Sequence, residues 1–160
     1  MDSQSFTLFH VVISLIAIVT GLIVVYGLLT AKRLAGTTAL FVVTTAATSI
    51  TGYFFHREHI LPSHIVGAIA LVVLVVTVLA LYSFRLRAGW RVVYVVGATL
   101  SVYFNVFVLV AQAFLKIGPL HALAPTGSES PFAVAQAVVL LVFVAIGVMA
   151  VRRFRPMALL

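Results

Sequence analysis

Apolar residues fill five stretches of the chain almost without interruption, at 7–30, 36–55, 64–84, 92–115 and 132–151. None shows the strict alternation of a half-buried strand, and each is apolar all round rather than along one stripe. A helix needs ~20 predominantly apolar residues to cross a bilayer, whereas a barrel strand needs about ten alternating ones. The pattern therefore predicts an all-α integral membrane bundle of five transmembrane helices, forming one domain over residues 1–160. Polar punctuation marks the ends. Ser63 after Pro62 and Ser130 before Pro131 are placed to cap helices, and Gly36 and Gly89 fall in short turns. The longest connection, residues 116–131, is rich in Pro, Gly and Ser and is expected to fold over one mouth of the bundle.

Composition strengthens the membrane reading. Of 160 residues 64% are hydrophobic and 8% charged, with a mean hydropathy of +1.27. Soluble domains carry about 25% charged residues, so lipid is the expected solvent for most of this surface. No basic residue precedes the first apolar run and no small-x-small site follows it, so that run is expected to be a retained span. The absence of cysteine excludes disulfides, thiolate metal sites and a cysteine nucleophile. No Asp, Glu, Lys or Arg sits in a span core, which argues against a proton pump, an ion-coupled transporter or a voltage sensor. A phosphate loop, an HExxH motif and a plausible Ser-His-Asp set are all missing, so hydrolytic catalysis is not expected.

Charge placement gives an orientation. Lys32 and Arg33, then Arg85, Arg87 and Arg91, then Arg152, Arg153 and Arg155 fall on one side of a five-span bundle. Arg57 and Lys116 fall on the other, with the three acids Asp2, Glu58 and Glu129. The positive-inside rule then predicts the N-terminus outside and the C-terminus inside, in a bacterial inner membrane. Tyr26, Tyr82, Trp90 and Tyr94 belong to an aromatic belt at the inner interface. The net charge of +7 is thus a topology signal with some contact to anionic lipid. No nucleic-acid partner is implied.

The chemistry concentrates on the outer side, where all five histidines, His10, His56, His59, His64 and His121, are expected. The segment from Gly52 to His64 holds three of them. Helical spacing aligns Thr45, Thr48, Ser49, Gly52 and His56 on one stripe, His10, Ser14, Ala17 and Gly21 on another, and His64, Gly67 and Ala68 on a third. Small residues on such stripes ordinarily serve helix packing. Gly52 and Gly67 could equally leave room for a flat ligand beside the imidazoles. Imidazoles from two helices at similar depth are what bis-histidine ligation of haem b requires, and His10 with His56 or His64 meets that condition. Arg57 is positioned to pair with a propionate. Alternatively His10, His56, His59 and His64 offer nitrogen ligands to Zn²⁺ or Cu²⁺. The plainer reading, interfacial imidazoles bonded to backbone or headgroups, suits His59 and His121 best.

Below the histidines, Asn105, Gln112 and Gln136 are amides within spans and must find hydrogen-bond partners. With Tyr53 they could line a pocket for a quinone headgroup, through which the histidines pass protons and electrons. The leading expectation is a periplasm-facing histidine site for haem b or a transition metal, serving electron transfer with membrane quinone. The rival is a non-catalytic membrane subunit or assembly partner that packs against other membrane subunits.

The stretch Thr44-Thr45-Ala46-Ala47-Thr48-Ser49-Ile50-Thr51-Gly52-Tyr53-Phe54-Phe55 resembles small uncharacterised five-span inner-membrane proteins of proteobacteria. So do Pro62-Ser63-His64-Ile65-Val66-Gly67, Asn105-Val106-Phe107 and Gln112-Ala113-Phe114-Leu115-Lys116. This resemblance covers most of the chain and implies a fold, with no activity attached. In length and helix count the chain is also similar to the tryptophan-rich sensory and translocator proteins. It departs from them in having one tryptophan, Trp90, on the basic side. Their porphyrin binding is therefore not implied.

Overall fold

The computed structural model describes residues 3–55 and 62–155, and these are entirely helical with connecting turns. The helices are α1 (Ser3–Leu29), α2 (Ala35–Gly52), α3 (Pro62–Val78), α4 (Trp90–Lys116), the short α5 (Gly118–Leu123) and α6 (Ser130–Arg153). A π-helical turn, Leu79–Ser83, extends α3. Among the described residues, four helices contain segments long and apolar enough to cross a membrane: Gln4–Leu29, Ile65–Ser83, Trp90–Lys116 and Ser130–Arg153. The predicted second span does not meet that standard. It is an 18-residue helix rich in threonine, and it stops at Gly52 rather than at residue 55. The N–H groups of Tyr53 and Phe54 bond three residues back, to Ile50 and Thr51, and this tightening ends the helix.

Helix α2 nevertheless packs along most of α1. Leu34 packs by Gly27 at one end and Thr51 meets His10 at the other, so the two are antiparallel. Helix α4 forms the hub: 39% of its most apolar stretch is buried, against 28%, 28% and 17% in the other three spanning candidates. Its contacts explain why glycine occurs where it does. A Cβ on Gly97 would run into Thr77 Oγ1 of α3, and one on Gly21 of α1 would come within 2.8 Å of both Phe41 and Val102. Small residues here let backbones approach. Large apolar side chains cover the outside, with Leu141 68% and Val72 64% exposed. In water that surface would aggregate, so a lipid bilayer is the solvent the fold is built for.

Two buried clusters hold the helices together. One, in mid-bundle, joins Val24, Val25, Phe41, Val102 and Phe143. The other joins Leu28, Leu81, Tyr94, Ala150 and Phe154, and it fixes which ends lie together. The α1–α2 turn, the α3–α4 turn and the C-terminus of α6 share one end, so Lys32, Arg33, Arg85, Arg87, Arg91, Arg152, Arg153 and Arg155 gather there.

The helix starts differ in detail from expectation. Ser130 is the first residue of α6 and not its cap; Glu129 precedes it with no side-chain capping bond. Ser63 falls inside α3, which already begins at Pro62. Gly36 lies in α2, and Gly89 has φ −64°. Among the described residues the left-handed positions are instead Ala31, Arg85, Leu86, Ala88 and Gly127.

Candidate functional site

The polar cluster of the bundle lies at the end away from the arginines, where α1 meets α2. Antiparallel packing sets the i, i+4 pair His10 and Ser14 against Thr48 and Thr51. Thr51 Oγ1 donates its one proton to the Ala47 carbonyl at 2.7 Å, as threonines in apolar helices commonly do. With that proton committed, its 2.8 Å contact with His10 Nδ1 suits a bond it accepts. This arrangement goes with the neutral tautomer that carries hydrogen on Nδ1 and a lone pair on Nε2. Ser14 Oγ donates to the His10 carbonyl at 2.7 Å and lies 3.3 Å from Thr48 Oγ1.

Aromatic packing orients the ring further. Phe55 meets His10 edge-on, with centroids 5.0 Å apart at 79°, and Phe6 packs on Phe55 at 5.1 Å. Gly52 receives the imidazole, its missing Cβ lying 3.8 Å from His10 Cε1. Across the α2–α3 contact, Gly67 faces the Tyr53 phenol, and a Cβ added there would lie 3.3 Å from the hydroxyl. The space at both glycines is thus taken up by protein side chains rather than left as a cleft for a flat group.

The other predicted residues divide. His56, Arg57 and His59 lie outside the described residues, as does the side chain of His64, whose backbone belongs to the first turn of α3. Among the described residues, no three His, Asp or Glu side chains gather as a metal-binding group. Of the residues expected to line a pocket, Asn105 and Gln136 each bond to a neighbouring helix. Asn105 Nδ2 donates to Thr45 Oγ1 at 3.1 Å, between α4 and α2. Gln136 Nε2 donates to the Phe107 carbonyl at 3.0 Å, between α6 and α4, while its buried Oε1 has no partner among the described residues. Gln112 lies on the exposed face of α4, because the stripe Gly97, Ser101, Asn105, Val108, Gln112 is buried only over its first two members. His121 is in α5.

Two functional-looking features escaped sequence reasoning. Thr51 lies off the stripe through Gly52, and only the antiparallel register of α1 and α2 brings it to His10. Arg91 looks like one more topology cation, yet its Nη1 donates to the carbonyls of Val151 at 2.9 Å and Phe154 at 2.6 Å, capping the C-terminus of α6.

At the histidine end, Glu129 closes the loop before α6. Desolvation of its site pushes the carboxyl up, but bonds from Thr126 Oγ1 and the N–H groups of Thr126 and Ser128 together outweigh that and hold it below the usual carboxylate range. Comparison with known proteins finds no family model, no curated protein and no solved structure that matches the chain.

Proposed function

We propose that the chain is a five-span protein of the bacterial inner membrane, N-terminus outside, which holds a metal centre at the outer end of α1. The fifth span is α2. Its 18 residues cover about 27 Å at 1.5 Å each, close to the ~30 Å hydrocarbon thickness, and it packs along α1 from Gly27 to His10. The gathering of eight cations at one end supports the orientation through the positive-inside rule.

The observation that carries the metal reading is the His10–Thr51 bond. Metal-binding histidines almost always donate their second ring N–H to a fixed acceptor, which orients the ring and raises the basicity of the other nitrogen. His10 has that acceptor already in place. Its Nε2 is the first ligand, with His56, His59 and His64 of the following segment as partners and Arg57 as counter-charge. A bare Zn²⁺ or Cu²⁺ is favoured over haem b, because His10 and Tyr53 occupy the space at Gly52 and Gly67. With haem b the corresponding activity is electron transfer with membrane quinone. A second reading, a non-catalytic subunit packed against other membrane proteins, draws on the same contacts: Thr51 and Phe55 already satisfy much of the His10 ring.

Metal analysis and a visible spectrum of protein purified in mild detergent separate these. Bound Zn or Cu that is lost in His10→Ala and weakened in Thr51→Val supports the metal centre, and a Soret band that shifts on reduction selects haem b. A colourless, metal-free protein that does not take up added Zn²⁺ or Cu²⁺ overturns both. The cysteine-free chain also allows single-cysteine labelling: Ser128→Cys should react from outside the membrane and Ser83→Cys only from inside.

A further inference from the structure

The turn between α3 and α4 borders an open recess of about 520 Å³ lined by Ser83, Phe84, Arg85, Arg87, Ala88 and Trp90. We propose that this recess binds the phosphate group of an anionic phospholipid. The inference needs only that the helices lie in a bilayer, and it stands or falls apart from the metal site.

Four features converge. First, the cations of this turn have divided tasks. Arg91 is committed to the end of α6, whereas Arg85 and Arg87 are exposed at the recess. Glu129, the acid among the described residues, lies at the other end of α6, about 36 Å away by helix rise. Two guanidinium groups with no carboxylate beside them among the described residues favour an anion, and their planar donors match phosphate oxygens. Second, the N–H groups of Phe84, Leu86 and Arg87 are bonded to the carbonyls of Leu79, Ala80 and Phe84, so the turn that carries the two arginines is held by its own backbone bonds.

Third, Phe84 and Trp90 stack at 3.8 Å with their planes 2° apart, giving the recess a flat apolar wall. A soluble anion has no use for that wall, but the glycerol and upper acyl carbons of a phospholipid do. Trp90 is also the kind of residue that anchors at the headgroup level. Fourth, the backbone is held in an unfavourable form to present these groups. Arg85, Leu86 and Ala88 have φ of 47°, 59° and 47°, where glycine would be at ease. A π-helical turn, a feature found often at functional sites, leads directly into them. Strain kept at a position occupied by arginine points to use of that side chain.

Trp90 is the single tryptophan, so its fluorescence reports the recess directly. The protein is placed in mixed phosphatidylcholine and phosphatidylglycerol vesicles in which only one lipid carries brominated, quenching chains. Brominated phosphatidylglycerol should quench more than brominated phosphatidylcholine at equal mole fraction, reflecting roughly tenfold local enrichment. That preference should vanish in Arg85→Gln/Arg87→Gln and persist in Lys32→Gln/Arg33→Gln, which removes equal charge from the same end. Arg85→Gly should weaken it while raising thermal stability, separating recognition from folding. Equal quenching by both lipids, or equal loss in the two double variants, overturns the site. Loss of the preference on adding inorganic phosphate, but not chloride of the same ionic strength, overturns the lipid as its source.

Discussion

Arg91, in the first turn of α4, holds the carbonyl of Phe154 at 2.6 Å across sixty-three positions of sequence. The bond ties the last turn of α6 to the first turn of α4, while the Phe154 ring packs on Tyr94 with centroids 5.8 Å apart. A cation at a helix C-terminus also meets the negative end of the helix dipole.

Arg91→Gln is expected to lose about 1.5–3 kcal/mol, the usual worth of hydrogen bonds to a charged donor. Arg91→Lys should recover part of this, because an ammonium keeps the charge but not the spread of guanidinium donors. Thermal unfolding in detergent measures both, with the exposed Arg152→Gln as an unchanged control.

Gly97→Ala should destabilise the α3–α4 contact by about 1–3 kcal/mol through overpacking against Thr77. The atom in the way is a hydroxyl oxygen, so Thr77→Ala should restore most of the loss in the double variant. A double-mutant cycle on unfolding free energies gives the coupling, and additive effects would refute this account of the crossing.

His10 and Thr51 are expected to couple by about 1 kcal/mol in a similar cycle, with His10→Phe and Thr51→Val as the single changes. Nitrogen NMR of the imidazole should show hydrogen on Nδ1 at neutral pH. Hydrogen on Nε2 instead would mean that Thr51 is the donor, leaving Nε2 no lone pair for a metal.

Glu129 gives a pH dependence in the loop before α6. Its carboxyl is depressed in the folded state, so its stabilising effect is present above the unfolded carboxylate range. It is lost as pH falls through the lower folded value. Amide exchange at Thr126 and Ser128 should therefore accelerate only in acid. In Glu129→Gln it should already be fast at neutral pH and should lack that acid step.

Apolar run length and the placement of arginine and lysine were enough, without coordinates, to determine a helical membrane bundle, because lipid imposes both constraints on each segment separately. The threonine-rich α2 was the exception. Its apolar content is marginal, and its place beside α1 depends on Gly21 and on the pairing of Thr48 and Thr51 with Ser14 and His10. His10 itself was legible as a polar residue inside a span. Its partner was not, since Thr51 lies forty-one positions away and off the stripe that spacing defines. The same applies to Arg91, whose task is set by where α6 ends, and to Arg85, whose left-handed backbone shows only in the folded turn. Local composition fixes what a segment is dissolved in; which side chains meet across helices is decided by register and close approach, and these arise only when the helices pack.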